Sequence, residues 1–309
     1  MAKIYTVGET TYDIIFRNGQ PLNAVVGGSA LNTSVTLGRL GFPVYFISRM
    51  GDDKIGDLSL KFLKDNGISC KYINRFDGNS RLALAFLDDE NNAFYQFYKA
   101  AKAPALSFPQ LGFGDIVTFG STNAVRDEGR NSLLLFLNHA HDNQNITIYD
   151  PNIREFGPLE LIEVRRKFEE NLYLTKVLKG SSNDFKRMYD SCDADFIFDI
   201  IKKYGVEALV ITSGSEPIQV RTRNVSIKID VKPVKTVSTI GAGDNFTAGL
   251  VYGFVQNRVG ISKLALMDEK EWKSIIQLAK RFSSEVCQSK SNYISEKFAR
   301  QFKCYNEII

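Results

Sequence analysis

Thr236-Val-Ser-Thr-Ile-Gly-Ala-Gly-Asp-Asn-Phe-Thr-Ala-Gly-Leu250 is the stretch on which the fold turns. It predicts the end of a β-region, a tight Gly-Ala-Gly turn, and a helix from about Gly243 to Val255. Asp244 falls in the first turn of that helix, where unpaired backbone N–H groups carry an effective positive charge of about half a unit. Glycines let the backbone approach a phosphate closely, and a helix N-terminus is a ready anion site. A carboxylate beside it can take the proton from a hydroxyl that attacks that phosphate. Taken alone, the stretch is equally an N-terminal helix cap on an ordinary loop.

Working outward, the N-terminal part alternates strands and helices. Lys3–Gly8 has the pattern of a buried strand, and Thr11–Phe16 and Asn23–Val26 form a hairpin around Asn18-Gly19. Gly27-Gly28 opens a helix over Ser29–Leu40 that Gly41 and Pro43 stop. Val44–Ser48 is a second strand and Ile55–Asp65 a second helix, so the chain starts as a parallel α/β sheet. Cys70–Phe76, Arg81–Leu87 and Ala93–Tyr98 then break the rhythm as three strands without helices between them. With the early hairpin they predict a small antiparallel patch inserted into the α/β body; an edge extension of the main sheet is the alternative.

The rhythm resumes with strands at Asp115–Phe119, Asn145–Tyr149, Leu172–Val177 and Ala208–Ile211. Helices are expected around Asn131–Ala140, Pro158–Phe168, Ser182–Tyr189 and Ala194–Tyr204. A hairpin, Ile218–Arg221 with Val225–Ile229, feeds the Gly-Ala-Gly turn, and helices at Lys270–Gln288 and Glu296–Cys304 end the chain. No repeat or long linker divides it, so residues 1–309 are expected to form one domain.

Composition narrows the chemistry. The 309 residues are 44% hydrophobic and 24% charged, with a net charge of +4. That suits acidic small molecules, and no long Lys/Arg run argues for nucleic acid. Four widely spaced cysteines and two histidines give neither a disulfide framework nor a zinc pattern. The first residues predict a strand, not a signal peptide, and no apolar run reaches the roughly 18–20 residues that span a bilayer. A soluble protein of a reducing compartment, the cytoplasm, is the simplest expectation. There is no G-x-x-x-x-G-K-[ST] loop, and the dinucleotide fingerprint fails because Phe246 stands where its third glycine belongs. No G-x-S-x-G elbow or H-E-x-x-H is present either.

What remains is a glycine-rich anion turn with a carboxylate on the ligand-binding side of an α/β sheet. Gly27-Gly28 with Asn32 one turn on offers bare backbone and an amide to a polyol. Asp13, in the early hairpin, can accept two neighbouring hydroxyls through its two oxygens, or be a solvated turn residue.

Gly27-Gly28-Ser-Ala-Leu-Asn32, Gly51-Asp52-Asp53-Lys-Ile-Gly56 and Gly241-Ala242-Gly243-Asp244 occur in that order with fitting separations. Together they resemble the signatures of the PfkB (ribokinase-like) carbohydrate kinase family over essentially the whole chain. The resemblance implies a three-layer α/β sandwich, a mostly parallel central sheet with helices on both faces. It also implies a small β-sheet lid, from about 11–26 and 70–99, that often forms a homodimer contact. It makes Asp244 the catalytic base and Gly241, Ala242 and Gly243 the anion hole. Asp13, Gly27, Gly28 and Asn32 fall on sugar-binding positions, and Arg154 of Asp150-Pro-Asn152-Ile-Arg154 falls near the phosphates or an acidic substrate. Thr212-Ser-Gly214 borders the nucleotide, and the helix containing Ala279–Cys287 flanks the adenine.

By the same resemblance the cofactors are ATP and Mg²⁺, and the other partner is a small sugar. Phe94-Tyr-Gln-Phe-Tyr-Lys-Ala100 is similar to a lid stretch of fructokinases and of 2-keto-3-deoxygluconate kinases. Fructose is the first expectation, a ketosugar acid read by Lys99, Lys102 or Arg154 the second, and ribose or a nucleoside the third. Three departures qualify the likeness. Ser238 replaces an Asp that commonly helps bind a monovalent cation. Ser181 and Asp184 replace the Asn and Glu of the element that organises phosphate and Mg²⁺ water. Pro217 replaces a glycine and stiffens the nucleotide loop. A sugar-binding relative without turnover is the reading of a different class that the Ser238 and Ser181 changes leave open.

Overall fold

A computed structural model describes residues 2–88, 93–98, 104–153 and 157–302. In chain order the first elements are β1 (Ile4–Val7), β2 (Thr11–Arg17), β3 (Gln20–Gly27), α1 (Ser29–Arg39), β4 (Val44–Gly51) and α2 (Lys54–Asp65). Short strands β5 (Ile68–Ser69) and β6 (Ile73–Phe76) precede β7 (Leu82–Leu87) and β8 (Ala93–Tyr98). Next come β9 (Ile116–Gly120), α3 (Arg130–Asp142), β10 (Ile146–Asp150), α4 (Pro158–Leu172), β11 (Val177–Ser181), α5 (Ser182–Tyr189) and α6 (Ala194–Ile201). The chain continues through β12 (Ala208–Ser213), β13 (Glu216–Thr222), β14 (Ser226–Ile229), α7 (Ala242–Gln256), α8 (Ile261–Leu266), α9 (Glu269–Cys287) and α10 (Glu296–Arg300).

The main sheet has the order β14-β13-β12-β11-β10-β9-β1-β4-β5. It is parallel from β12 to β5, and the hairpin β13–β14 runs antiparallel at one side. Period-2 alternation divides each strand between two cores. Ile4, Phe46, Ile116, Ile148, Val177 and Val210 face α1, α7 and α9. Their neighbours Tyr5, Ile47, Val117, Tyr149, Leu178 and Leu209 face α3, α4, α5 and α6. Both faces are covered, as a parallel sheet requires. Sheet order reverses beside β1, whose neighbours are β9 and β4, so a ligand crevice is expected at the carboxyl ends of these strands.

A separate four-stranded sheet has the order β3-β2-β7-β8. Asn18 and Gly19 turn its hairpin with φ of 51° and 72°, the geometry that an Asn-Gly pair supplies. One strand expected in this patch lies elsewhere: Ile73–Phe76 pairs in parallel with Ser48–Gly51 and extends the main sheet. The Gly51–Gly56 motif explains the switch. Asp53 caps α2 through the Gly56 N–H at 2.7 Å and accepts the N–H and hydroxyl of Ser80 at 2.7 Å each. The chain is thereby pinned to the main sheet until residue 80 and crosses only then. Burial pushes the Asp53 carboxyl up, but the Ser80 and Gly56 hydrogen bonds outweigh it and hold the group below its ordinary value.

A second boundary also moves. Leu172 is the last residue of α4, and the strand runs Val177–Ser181 where the apolar pattern suggested Leu172–Val177. Thr175 returns its hydroxyl to the Asn171 carbonyl at 2.7 Å, which makes Tyr173–Lys176 a helix exit. Helix α8 escaped the sequence reading because it is only six residues long.

Candidate active site

A cleft of 1170 Å³ opens where the strands of the main sheet end. Its floor is Gly8, Gly120, Asp150, Lys179, Ser181 and Thr212, contributed by β1, β9, β10, β11 and β12 or the residue after them. Asp13 and Leu82 of the small sheet line one end, and Ser283, Ser284 and Cys287 of α9 the other. The head of α7 lies between them.

Helix α7 begins one residue earlier than the sequence suggested, at Ala242, with Gly241 as N-cap at φ 81°. No side chain caps it, so the N–H groups of Gly243 and Asp244 have no partner within the helix. The Ala242 N–H instead donates to the Thr239 carbonyl at 3.2 Å. Of the expected Gly241-Ala242-Gly243 donors, Ala242 is therefore shared with the turn, and the Asp244 N–H joins the set facing the cleft. Gly241 must be glycine: a Cβ there would stand 2.3 Å from the Asn292 carbonyl oxygen. Gly241→Ala is expected to cost about 2 kcal/mol or more, from the left-handed backbone and the clash together. Thermal unfolding should show a fall of several degrees, and an unchanged midpoint would contradict the tightness of this turn.

The Asp244 side chain is held by α1, which packs directly against α7. Ser29 Oγ donates to Oδ1 at 2.5 Å and Asn32 Nδ2 donates to Oδ2 at 2.8 Å. Thr33 Oγ1 donates to the Asp244 carbonyl at 3.0 Å, and Thr36 bonds Asn245. Residues 29, 32, 33 and 36 form one stripe of a helix, and all of them reach the first turn of α7. Asn32 is 3% exposed and its Oδ1 has no hydrogen-bond partner, an orphaned acceptor beside the cleft. Gly28 sits at φ 125° with the Glu9 carbonyl 2.4 Å from where a Cβ would be, so only glycine lets the backbone pass. Gly27 does not line the cleft; it is buried beside the Asp13 carboxylate, which does.

Beneath α7 lies a buried pair that the sequence did not announce. Lys179 Nζ donates to Asp150 Oδ2 at 2.7 Å and to the Gly243 carbonyl at 3.1 Å. Thr247 Oγ1 donates to the same Asp150 oxygen at 2.9 Å. Burial pushes Asp150 up to about 6 although Lys179 pulls the other way, and Asp244 and Asp184 add to the rise. Among the cleft-lining residues, Glu9 pairs with Arg81 and with Arg126 at 3.5 Å, and accepts Thr122 Oγ1 at 3.0 Å.

Ser181 and Asp184 form a capping box at the head of α5. Asp184, 6% exposed, accepts the Ser181 N–H at 2.7 Å, the Ser181 hydroxyl at 2.6 Å and the Ile153 N–H at 2.6 Å. Three of roughly four acceptor positions of a carboxylate are thus used. Thr212 and Gly214 line the cleft, and Thr212 Oγ1 donates to the Gly180 carbonyl at 3.3 Å. On α9 the cleft-facing set is Lys280, Ser283, Ser284 and Cys287, one helical face, whereas Ala279 is fully buried. Ser238 spends its hydroxyl on the Ile240 N–H at 3.2 Å. Arg154, Lys99 and Lys102 lie outside the described residues. Among the described residues no cluster of three or more His, Cys, Asp or Glu can hold a metal, and no helix is long and apolar enough to cross a membrane.

The sequence profile of the pfkB family carbohydrate kinases matches residues 1–298. The chain belongs to this family. It is a carbohydrate kinase, a sugar phosphotransferase with the ribokinase-like fold. The fructokinase of Escherichia coli is 27% identical to this kinase over 286 residues, which are 91% of each chain. The structure of the Vibrio cholerae fructokinase with fructose, ADP and calcium superimposes with a TM-score of 0.82 at 20% identity, over 98% of this chain and 99% of that one. Aminoimidazole riboside kinase from Salmonella enterica, with its riboside and an ATP analogue, gives 0.80 at 19% identity over 97% and 99%. At such identities the two structures speak for the fold.

Proposed function

We propose that this kinase transfers the γ-phosphate of ATP to the hydroxymethyl group of fructose. The observation that carries the proposal is the position of Asp244: a carboxylate at an uncapped helix start, facing a cleft and oriented by the helix that follows Gly27-Gly28. Phosphoryl transfer asks the protein mainly for positioning and charge stabilisation. Asp13, the Gly28 backbone and the orphaned Asn32 Oδ1 hold the sugar. The Gly243 and Asp244 N–H groups, with Gly241 and Ala242 shaping the turn, receive the γ-phosphate, and Asp244 takes the hydroxyl proton. Thr212 and Gly214 border the nucleotide, whose base lies along Ser283, Ser284 and Cys287. Asp184, whose carboxylate Ser181 fixes, would hold a Mg²⁺ accompanying ATP through water, and the ion would neutralise phosphate charge. ATP as donor suits a reaction in the cytoplasm.

The matched relatives favour fructose over a sugar acid, the fructokinase of Escherichia coli among them. Charge does not decide between them, because Glu9 carries one negative charge against the two guanidinium groups of Arg81 and Arg126. The small sheet acts as one domain with the body and as a lid: it carries Asp13 over the site and excludes water that would otherwise hydrolyse ATP. Its outer strands, with Leu22 and Phe94 exposed, are where a second copy would pair to form a homodimer.

Coupled ADP release across fructose, 2-keto-3-deoxygluconate, ribose and adenosine tests the assignment. Fructose is expected to give a kcat/KM at least tenfold above the others. A preference for the keto-acid would overturn the fructose assignment and give the surplus positive charge beside Glu9 to a substrate carboxylate, and no sugar-dependent ADP release at all would mark a binding protein.

A further inference from the structure

Lys179 lies midway along β11 between the buried Leu178 and Gly180, and its own side chain is 4% exposed. Burying an ammonium with a carboxylate adds little stability over an apolar pair of similar volume, because desolvation offsets their attraction. The fold alone therefore does not account for the Lys179–Asp150 pair, and what the ammonium reaches does. Its Nζ is held by Asp150 at 2.7 Å and donates to the Gly243 carbonyl at 3.1 Å. Thr247 Oγ1 lies 3.2 Å from the same carbonyl, but its single hydrogen is spent on Asp150 at 2.9 Å. Lys179 is thus the side-chain donor to that carbonyl among the described residues. Glycine at 243 leaves it room, since a Cβ there would stand 3.1 Å from Nζ.

The Gly243 carbonyl and the Asp244 N–H belong to one conjugated peptide unit. Gly241 is the N-cap of α7, so the Asp244 N–H is in the first turn and has no partner within the helix. A cation on the carbonyl oxygen draws density through the amide and leaves the N–H hydrogen more positive, and linked hydrogen bonds strengthen one another in this way. We propose that Lys179 is a positioning residue of the anion turn: it fixes the Gly243–Asp244 peptide from behind and polarises it toward the transferred phosphoryl group. The proposal rests on that turn receiving the γ-phosphate. In the step the sugar oxygen bonds to the γ-phosphorus as the bond from phosphorus to the β–γ bridging oxygen breaks. ADP leaves with the electron pair, the hydroxyl proton passes to Asp244, and the charge on the phosphoryl oxygens meets the strengthened N–H.

The test uses Lys179→Met combined with Asp150→Asn, which removes one charge of each sign and leaves none buried. Deleting an oxyanion donor outright costs about 10²- to 10³-fold, so weakening one is expected to lower kcat about tenfold, with KM for fructose within about twofold. Titration with ADP, and with ADP plus aluminium fluoride as a mimic of the transferred group, both with fructose and Mg²⁺ present, gives the readout that a merely structural role would not move. The double variant should bind ADP as wild type does and bind the mimic about tenfold more weakly. Asp150→Asn alone keeps the ammonium, and its amide oxygen still accepts from it, so it should bind the mimic within about threefold of wild type. A double variant with wild-type kcat and wild-type affinity for the mimic overturns the proposal. So does an equal loss for ADP and the mimic, which would be a disturbed cleft, or a loss already complete in Asp150→Asn, which would belong to the carboxylate. If the wild-type kinase itself binds the mimic no more tightly than ADP, the turn does not receive the phosphoryl group, and the site reading fails together with the role of Lys179.

Discussion

An Asp244→Asn kinase is expected to fold, to bind sugar and ATP, and to lose about 10²- to 10⁴-fold in kcat, the usual contribution of a positioned base. The substitution is nearly isosteric, and its carbonyl still accepts one of the two bonds from α1. It deletes a negative charge at the start of α7, which costs about 0.3–1 kcal/mol of favourable helix-dipole interaction. That is small for a chain of this size, so the rate loss cannot be a folding loss. A neutral amide also repels phosphate less than a carboxylate does, so KM for ATP should hold or fall. The combination of a much lower kcat with an unraised KM marks an interaction that matters only in the transition state. Single-turnover transfer from labelled ATP to sugar measures it directly; a rate within threefold of wild type would falsify the assignment of Asp244 as base.

Much of this site was legible because glycine and carboxylate spacings are local. Gly241-Ala-Gly-Asp244 and Gly27-Gly28 announce tight backbone at helix starts, and the structure puts both starts against one cleft. The fold class followed from strand and helix alternation, since period-2 burial on both faces of a parallel sheet leaves a strong apolar trace. Residues that act through tertiary contact left a weaker one. Asp150 ends β10 and Lys179 lies midway along the adjacent β11, 29 positions on, and nothing in either neighbourhood signals the other. Ser29, Thr33 and Thr36 did carry a sign, a polar stripe with Asn32 on a helix otherwise buried among apolar side chains. Only the partner helix, more than 200 residues on, explains why that stripe is not solvated. The misplaced strand at Ile73–Phe76 has the same origin: its apolar pattern suits either sheet, and the Asp53–Ser80 bonds decide between them.

Breaking the Lys179–Asp150 pair should produce the largest loss of stability, and the loss should depend on pH. The two side chains are 4% and 13% exposed. Removing one partner of such a pair leaves an uncompensated buried charge, which typically costs about 3–5 kcal/mol. Asp150 is already raised to about 6 in the folded protein, against an ordinary value near 3.9 in the unfolded chain. A group raised on folding favours the folded state below its unfolded value and loses that advantage as pH rises through the folded one. Lys179→Met removes the cation that pulls Asp150 down, so the folded value climbs further and the penalty extends to higher pH. The variant is therefore expected to be strongly destabilised at pH 8 and less so at pH 5.5, where Asp150 holds its proton. Lys179→Met combined with Asp150→Asn should recover most of the loss, because no charge then remains buried. Thermal or urea unfolding of the three proteins at both pH values decides the matter. If Lys179→Met is destabilised equally at pH 5.5 and 8, the cost comes from lost packing and the lost Gly243 contact, not from an ionised Asp150 stranded beneath α7.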